Sequence, residues 1–321
     1  MASNLDTLVT VFGGSGFLGR NVVRALCKRD YRIRVAVRRP ELAGYLQPSG
    51  KVGQVHTVQA NLRYPASVAA ALRDSHVVIN LVGVLTESGA QTFDAVQARG
   101  AETVAKAAAA AGAELIHVSA IGADAESPSL YAKAKAAGEA AVKAAVPAAT
   151  IFRPSVMFGP EDQFTNRFAA LARMSPVLPL IGGDTRMQPV YVGDVATAIA
   201  EAVDGKAVAG ATYELGGPEV LTMREIIETI LEITDRERML VPLSFGLARL
   251  QAAVLQFAPG ALKLTADQVT MLERDNIVSD AAKAASLTLE GLGITPDSLE
   301  AIAPQYLWRF RPQGQFQRMS V

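Results

Sequence analysis

The sequence predicts an α/β protein, a doubly wound parallel sheet with a smaller, mostly helical C-terminal lobe. Short apolar runs alternate with stretches of helical spacing through the first 150 residues, a rhythm typical of a parallel sheet covered by helices on both faces. Several runs contain consecutive apolar residues, as strands buried on both faces do. The predicted strands are 8–12, 33–37, 55–58, 76–82, 114–119 and 149–152, and the predicted helices are 17–29, 66–73, 92–111 and 130–145.

Beyond residue 155 the alternation loosens, which indicates a second domain. The segment 187–203 is expected to add one more strand and helix to the sheet, and 211–217 another strand. Capping-box patterns predict further helix starts at Thr222 with Glu225 and at Thr265 with Gln268. The predicted domains are 1–158 plus 188–220 for the sheet domain and 159–187 plus 221–321 for the C-terminal lobe.

Composition narrows the class of protein. The chain has 321 residues, 50% of them hydrophobic, and its 31 Lys and Arg residues balance 31 Asp and Glu residues. This balance predicts no nucleic-acid partner, because no net field attracts a polyanion. We find no apolar stretch of about 20 residues to span a bilayer and expect no targeting segment at the N-terminus. A single cysteine, Cys27, and three scattered histidines predict neither a disulfide framework nor a metal site.

The segment "VTVFGGSGFLGR" contains the strongest local signal. Gly13, Gly16 and Gly19 form a G-x-x-G-x-x-G pattern, and Gly14 with the last two also forms G-x-G-x-x-G. Either pattern is weak alone, but here it follows the first predicted strand and opens the first predicted helix. Glycines there permit a tight turn and bring backbone N–H groups close to a pyrophosphate at the helix N-terminus. The sequence therefore predicts a Rossmann-type dinucleotide site.

The residues after the second strand indicate which dinucleotide binds. An NAD site usually carries Asp or Glu about 20 residues past the glycines, where it binds the ribose 2′-hydroxyl. This chain instead has Arg38 and Arg39, in "VAVRRP". A guanidinium suits a 2′-phosphate, which it holds through charge-assisted hydrogen bonds, and Arg20 is a third candidate. The predicted cofactor is NADPH; the alternative for the two arginines is a pair of solvated charges at a strand end.

Further cofactor contacts are predicted where other strands end. Asn61 follows the third strand and can bond an adenine amino group, although an Asn in this position also caps turns. Gly83, in "NLVGVL", is expected beside the cofactor ribose, where a side chain would obstruct. The predicted cofactor set is Gly13, Gly14, Ser15, Gly16, Phe17, Leu18, Gly19, Arg20, Arg38, Arg39, Asn61, Leu62, Val82, Gly83, Ser119, Tyr131, Lys135 and Pro154.

Three residues have the chemistry of a hydride-transfer catalyst. Ser119 ends the fifth predicted strand, and Tyr131 and Lys135 are four apart on a predicted helix, hence on one face of it. At the carboxyl edge of a parallel sheet they would converge beside a nicotinamide. A lysine ammonium lowers the pKa of a nearby tyrosine, whose usual value of about 10 is too high for acid–base work at neutral pH. These three are the candidate catalytic residues.

Together these residues resemble the short-chain dehydrogenase/reductase superfamily in its extended and atypical branches, to whose later motifs "RPSVMFGP" (153–160) and "QPVYVGDVA" (188–196) are similar. A narrower resemblance runs nearly end to end: "NLVGVL", "YELGGPEVLTMREI" and "LEAIAPQYLWRFRPQGQF" are similar to the dehydrogenase-like accessory subunit of respiratory complex I. That resemblance implies a structural subunit with tightly held NADPH near the quinone-binding region. It would be peripheral, at the cytoplasmic face of the inner (plasma) membrane or at the matrix side in mitochondria.

The sequence favours cofactor retention without turnover. Only residues 120–130 separate Ser119 from Tyr131, and "AIGADAESPSL" is small and polar, whereas active extended members of the superfamily usually carry a longer, proline-rich segment there. One alternative is an active NADPH-dependent reductase or epimerase, with Tyr131 as acid–base, Lys135 lowering its pKa and Ser119 holding a carbonyl. Another is a regulator that senses the NADP⁺/NADPH balance.

Two C-terminal segments are candidates for contact with a partner. An apolar stripe at helical spacing, ended by Pro259, either packs inside the lobe or docks on a membrane interface or a partner; it consists of Leu243, Leu247, Leu250, Val254 and Phe257. In the tail we predict partner contact over folding back, because aromatic and arginine residues are enriched at interfaces. The tail residues are Tyr306, Trp308, Arg309, Phe310, Arg311, Phe316 and Arg318.

Overall fold

A computed structural model describes residues 4–258 and 260–313, with the side chain of residue 261 excepted. Within these residues the chain divides into two compact units: unit 1 comprises 4–154, Gly193–Leu215 and Asp280–Ile294, and unit 2 comprises Ser155–Val192, 216–258, 260–279 and 295–313. The predicted boundaries differ from this division chiefly at 188–192 and 216–220, which were expected in the sheet domain, and at 280–294, which was expected in the lobe.

The regular elements are numbered in chain order. The strands are β1 (Leu8–Phe12), β2 (Arg32–Val37), β3 (Val55–Gln59), β4 (Val77–Asn80), β5 (Glu114–Val118), β6 (Thr150–Pro154), β7 (Met157–Phe158), β8 (Val177–Ile181), β9 (Arg186–Met187), β10 (Val190–Tyr191), β11 (Thr212–Leu215), β12 (Leu221–Thr222) and β13 (Met239–Leu243). The α-helices are α1 (Phe17–Cys27), α2 (Pro65–Ala71), α3 (Arg99–Ala111), α4 (Leu130–Ala145), α5 (Thr165–Met174), α6 (Val192–Val203), α7 (Met223–Ile233), α8 (Phe245–Leu255), α9 (Ala266–Met271), α10 (Asp280–Ala284), α11 (Leu299–Ile302) and α12 (Pro304–Leu307).

Unit 1 contains a seven-stranded parallel sheet in the order β11-β6-β5-β4-β1-β2-β3. All five residues of β1 are buried, as its near-continuous apolar sequence predicts for a central strand covered on both faces. The strand order reverses between β1 and β4, and in such sheets ligands bind outside the carboxyl ends of the strands at this point. The α/β class is therefore confirmed, and its topology places a site at the end of β1.

The alanine-rich helix α4 packs closely against the segment that precedes α3. A Cβ built on Gly138 of α4 would lie 2.3 Å from the carbonyl oxygen of Gln97, so α4 approaches the segment before α3 too closely for any other residue. That segment, Asp94–Ala98, is a π-helix rather than the start of a regular α-helix. Such wide turns recur at functional sites.

Cys27 ends α1 and is buried, with 6% of its surface exposed. A Cβ on Gly50 would lie 2.9 Å from its sulfur, which shows how tightly the thiol is enclosed. Burial raises the pKa of the thiol to about 11. Cys27 is therefore a packing residue of unit 1.

The prediction that 187–203 adds a strand and a helix to the main sheet is wrong for the strand. Val190 and Tyr191, directly before α6 begins at Val192, pair with β7 in a separate two-stranded sheet. The strand predicted at 211–217 is confirmed as β11, which forms the edge of the main sheet and pairs in parallel with β6. A two-residue strand is too short to complete a ladder in a sheet of this size.

Unit 2 combines helices with three two-stranded sheets, β10-β7, β12-β9 and β13-β8. Both predicted capping boxes are confirmed: the Thr222 and Thr265 hydroxyls cap α7 and α9, and the backbone N–H of each threonine donates in return to the side chain of Glu225 or Gln268. The β13-β8 pair was not predicted, because each strand carries a proline, Pro242 and Pro179, a residue that usually argues against a strand interior. In the described part of the chain, no helix combines the length and apolar character that a membrane span requires.

The apolar stripe on α8 is exposed. Leu247, Leu250, Val254 and Phe257 have 58%, 69%, 71% and 84% of their surface exposed. Ala248 and Ala252 are the residues of α8 that are buried. Packing inside the lobe is therefore the wrong interpretation for these four large side chains, whereas Leu243 does pack against the small local core. Pro259, the expected end of the stripe, lies outside the described residues.

The described tail folds back onto unit 2. Tyr306 is buried and its hydroxyl donates to the Asp162 carboxylate over 3.2 Å. Phe310 packs against the core of the unit. The expectation of partner contact is thus wrong for these two aromatic residues, because a buried carboxylate and an apolar core inside the unit already bind them. Trp308 keeps 36% of its surface exposed; Phe316 and Arg318 lie outside the described residues.

Candidate functional site

A cleft of about 260 Å³ opens at the carboxyl edge of the sheet in unit 1. The predicted residues that line it are Gly13, Ser15, Gly16, Arg38, Asn61, Leu62, Val82 and Gly83. Arg63, Gln91 and Val96 also line it and were not predicted. The cleft lies where the strand order reverses, so the topology and the glycine pattern indicate the same place.

The glycine segment is a tight turn that no other residues would allow. Gly13 has φ 78°, and the Gly16 N–H donates to its carbonyl oxygen over 3.0 Å. A Cβ on Gly19 would lie 2.2 Å from that same oxygen. Gly14 and Leu18 are buried behind the turn, so they shape the turn rather than line the cleft. The helix α1, capped by Gly16, directs its N-terminal amides at the cleft, as an anion site requires.

The basic residues around the turn are arranged differently from one another. Arg38 lines the cleft at the end of β2. Arg39 is exposed and precedes a 3-10 turn at Pro40–Leu42. The Arg20 guanidinium reaches back to the carbonyl oxygens of the glycine turn. The structure thus places Arg38 in the cleft, with Arg20 at its rim.

Two asparagines order the segments that follow β3 and β4. The Asn61 side-chain oxygen accepts the Arg63 N–H over 3.1 Å. Asn61 therefore caps a turn, which was the alternative to its predicted bond with the adenine. Asn80, the last residue of β4, was not predicted as a site residue. Its side-chain oxygen accepts the Val82 N–H over 3.2 Å, and it therefore fixes the segment that carries Gly83. The sequence signal that could have identified Asn80 is a single asparagine directly after three apolar strand residues.

Of the three candidate catalytic residues, Lys135 contacts the strand end that precedes Ser119 and lies near the Tyr131 ring. Ser119 directly follows β5 and is buried. The Lys135 ammonium donates to the Val118 carbonyl oxygen over 3.2 Å, and its nitrogen lies 5.9 Å from the centre of the Tyr131 ring. The ring also makes an edge contact with Phe93, with centroids 5.7 Å apart. Tyr131 is therefore held between Phe93 and Lys135.

Gly83 lies against a buried polar group that the sequence did not reveal. A Cβ on Gly83 would be 3.4 Å from the Lys135 ammonium nitrogen and 3.5 Å from the Gln97 side-chain oxygen. That oxygen accepts the Val84 N–H over 3.1 Å. Within residues 4–258 and 260–313, the Gln97 amide nitrogen and the Ser119 hydroxyl oxygen are buried without a hydrogen-bond partner. A polar ligand would satisfy such groups, so the residues present fit a dinucleotide.

The electrostatics of this corner are set by burial. Burial lowers the pKa of Lys135 to about 8, partly opposed by the Glu139 carboxylate. Burial, together with the Lys135 charge, lowers the pKa of His117 to about 3, so His117 is neutral near pH 7. Pro154, a predicted cofactor residue, is buried and its carbonyl oxygen accepts the Ile121 N–H; it supports the strand ends rather than lining the cleft.

The depressed pKa of Lys135 gives a testable pH dependence. Between about 8 and the ordinary value of 10.5, the unfolded chain binds a proton that the folded chain has released. The free energy of unfolding therefore rises with pH through this window. Relative to Lys135→Met, the unmodified chain should gain about 1 kcal/mol between about pH 7 and about pH 9, measured by urea unfolding. Lys133→Met, at an exposed lysine of the same helix, should show no such change; parallel curves for all three chains would contradict the assignment.

The chain is similar to known proteins along most of its length. Residues 7–253 match the family model described as the RmlD substrate binding domain. The chain is 37% identical over 321 residues to the NADH dehydrogenase (ubiquinone) 1 alpha subcomplex subunit 9 of Arabidopsis thaliana, covering 96% of this chain and 79% of that protein. It is 30% identical over 308 residues to the NADH-ubiquinone oxidoreductase 40 kDa subunit of Neurospora crassa, covering 96% and 80%. Both relatives are described as mitochondrial.

Solved structures support the same fold. The NADPH-dependent quinone oxidoreductase QOR2 of Escherichia coli, complexed with NADPH, superposes with a TM-score of 0.73 at 21% identity, covering 93% of this chain and 99% of that one. DesIV of Streptomyces venezuelae, a dTDP-glucose 4,6-dehydratase with NAD bound, gives 0.71 at 20% identity, covering 95% and 96%. The resemblance to the short-chain dehydrogenase/reductase superfamily is confirmed. The chain belongs to the RmlD substrate binding domain family and to the family of subunit 9 of the NADH dehydrogenase (ubiquinone) 1 alpha subcomplex.

Proposed function

We propose that the chain is an NADPH-binding structural subunit of respiratory complex I (NADH:quinone oxidoreductase), without turnover of its own. The observation that carries the proposal is its similarity, over 96% of its length, to subunits named for that enzyme. It would contact other subunits near the quinone-binding region. We place it as a peripheral protein at the cytoplasmic face of the inner membrane, or at the matrix side if it is mitochondrial.

The cleft supports NADPH as the cofactor. Arg38 lines it at the end of β2, where a carboxylate would favour NAD. Gly83 and the buried polar atoms of Gln97 and Ser119 fit the nicotinamide end. When bound, the dinucleotide would supply a hydride in a reductase and a fold-stabilising ligand in a subunit. A ligand that binds only the folded chain stabilises it by mass action, so the cofactor would lock unit 1 in its folded form.

Replacing Arg38 by glutamate tests the cofactor assignment. The substitution removes a cation from the cleft and adds an anion beside the 2′-phosphate position, so we expect the Kd for NADPH to rise by more than about tenfold. The Kd for NADH should change far less. Both are measured by isothermal titration calorimetry. Arg24→Glu makes the same charge change at an exposed residue of α1 and serves as the control; an unchanged NADPH affinity in Arg38→Glu would contradict the proposal.

The exposed stripe of α8 supports a contact outside the chain. Leu247, Leu250 and Val254 line an apolar groove of about 450 Å³ on unit 2. Scattered apolar residues are normal on a surface, but a contiguous patch marks an interaction site. We propose that this face contacts the membrane interface or a neighbouring subunit of the complex. Leu250→Glu places a charge at its centre and separates this role from folding, because Leu250 is exposed.

The first experiment is a native gel of gently solubilised membranes from the source cells, probed for this chain. Migration in a very large band with NADH–quinone oxidoreductase activity is the expected result, and Leu250→Glu should weaken it. Migration in the soluble fraction near 33.8 kDa, or a small multiple of it, would overturn the subunit proposal. A lipid role for α8 predicts that the isolated chain floats with liposomes and that Leu250→Glu does not.

A working reductase is the second candidate, and its support is Lys135, whose nitrogen lies 5.9 Å from the centre of the Tyr131 ring and donates to the carbonyl oxygen of Val118, the residue before Ser119. A ceramide reductase of Caulobacter vibrioides is 38% identical over 196 residues, although the match covers 61% of this chain. Tyr131→Phe removes the acid–base hydroxyl and keeps the ring that contacts Phe93. Loss of a cellular reaction with normal assembly would support the enzyme. Unchanged respiration and metabolites would support the structural subunit.

A further inference from the structure

We propose that Tyr45 is a positioning residue for recognition of the adenosine 2′-phosphate: it holds the Arg20 guanidinium against the glycine turn that lines the cleft. The inference rests on the proposed binding of NADPH and extends it to a residue that touches no catalytic group. Tyr45 contributes no charge itself. It acts by fixing where a charge is held.

Tyr45 is anchored although it is exposed. It lies in the 3-10 helix Gly44–Ser49, which follows β2, and 50% of its surface is exposed. Its hydroxyl donates to the carbonyl oxygen of Ser15 over 2.7 Å. Ser15 lies in the glycine turn and lines the cleft. The aromatic ring is therefore fastened directly to the turn that would bind the pyrophosphate.

The fastened ring supports an arginine. The Arg20 guanidinium carbon lies 5.5 Å from the centre of the Tyr45 ring, within the range of a cation–π contact. Its Nε donates to the Gly16 carbonyl oxygen over 3.3 Å, and Nη2 donates to the Ser15 carbonyl oxygen over 3.4 Å. Tyr45 and Arg20 thus share the Ser15 carbonyl oxygen. The guanidinium is held in place from the ring side and from the turn.

This arrangement favours a phosphate. A guanidinium presents five N–H donors in a rigid plane, so it can hold turn carbonyls and a phosphate together. Arginine side chains are flexible, and ordering one before the ligand arrives lowers the entropy cost of binding. Arg38, which lines the cleft, begins the chain segment that connects β2 to the 3-10 helix of Tyr45. Residues 39–44 separate Arg38 from Tyr45. Tyr45 therefore fixes the Arg20 guanidinium relative to the glycine turn.

The test compares dinucleotides with and without the 2′-phosphate. For Tyr45→Leu we expect the Kd of NADPH and of 2′,5′-ADP to rise by about fivefold or more. The Kd of NADH and of 5′-ADP should stay within about twofold. Tyr45→Trp keeps an aromatic face for Arg20 and should restore most of the preference, and Tyr45→Phe should lie between the two. In an Arg20→Gln background, Tyr45→Leu should change the NADPH-to-NADH ratio no further, because the group that it positions is absent.

The outcomes separate this inference from the cofactor proposal. Measured on the unmodified chain, tighter binding of NADPH than of NADH supports the cofactor proposal, and equal or absent binding overturns it together with this inference. Given that preference, equal weakening of both dinucleotides in Tyr45→Leu would show that Tyr45 only supports the glycine turn. That result, or unchanged Kd values for both dinucleotides, would overturn the inference and leave the cofactor proposal intact. Unfolding temperatures of the variants confirm that each is folded.

Discussion

Replacing Gly19 by alanine should abolish dinucleotide binding and lower the unfolding temperature of the chain. A Cβ there would lie 2.2 Å from the Gly13 carbonyl oxygen and 2.6 Å from two backbone atoms of Gly14. Backbone atoms cannot turn aside as a side chain can, so the turn must open. We expect the Kd for NADPH to rise by more than about 100-fold and the free energy of unfolding to fall by about 2 kcal/mol or more.

The matched control is Gly246→Ala. Gly246 is the second residue of α8, much as Gly19 is the third of α1, and a Cβ there would meet no atom within 4 Å. Alanine is the better helix former, so this variant should be as stable as the unmodified chain or more so. Both are measured by thermal unfolding and by calorimetric titration. A Gly19→Ala chain that binds NADPH normally would show that the turn is not the pyrophosphate site.

Replacing Arg153 by methionine should lower the free energy of unfolding by about 3 kcal/mol. Arg153 binds the Glu139 carboxylate through two hydrogen bonds, of 2.8 and 2.6 Å, and approaches Glu214 to 3.6 Å. The Glu139 side chain is only 7% exposed. Removing the guanidinium leaves this carboxylate buried without its cation, and that uncompensated charge is the main cost.

The loss should extend to the site, because Glu139 lies one turn after Lys135 on α4. Chemical denaturation gives the stability, and the Kd for NADPH shows whether α4 has shifted. Lys106→Met is the control: its ion pair with Glu102 lies between exposed side chains, where such pairs contribute about 0.5 kcal/mol or less. Equal, small losses in both variants would mean that the Arg153–Glu139 pair stabilises the fold no more than a surface pair does.

The sequence predicted those features that depend on local patterns. Tyr131 and Lys135 share a helix face because they are four residues apart, and the turn at Gly13 follows from glycine spacing after a strand. Gln97 was missed because a π-helix, not a regular α-helix, directs its side chain toward Gly83. Arg63 was missed because only the tertiary position of the β3 end brings it to the cleft.

The C-terminal half was harder to predict for a different physical reason. An amphipathic pattern states which residues share a face and does not state what covers that face, so the stripe through Leu250 could be read as core or as surface. The tail posed the same difficulty. Tyr306 and Phe310 are residue types that are common at interfaces. In this chain Tyr306 binds Asp162 and Phe310 packs against the core of the same unit.

Because Cys27 is enclosed, the reactivity of its thiol can be used to measure local opening of unit 1. It is the only cysteine, and its thiol, with a pKa of about 11, is almost wholly uncharged near neutral pH and shielded from reagents. Alkylation therefore requires a fluctuation that separates the end of α1 from the segment around Gly50. The rate of labelling by a thiol reagent counts those openings. A ligand bound at the N-terminus of α1 would therefore be detected at the other end of this helix, as slower alkylation of Cys27.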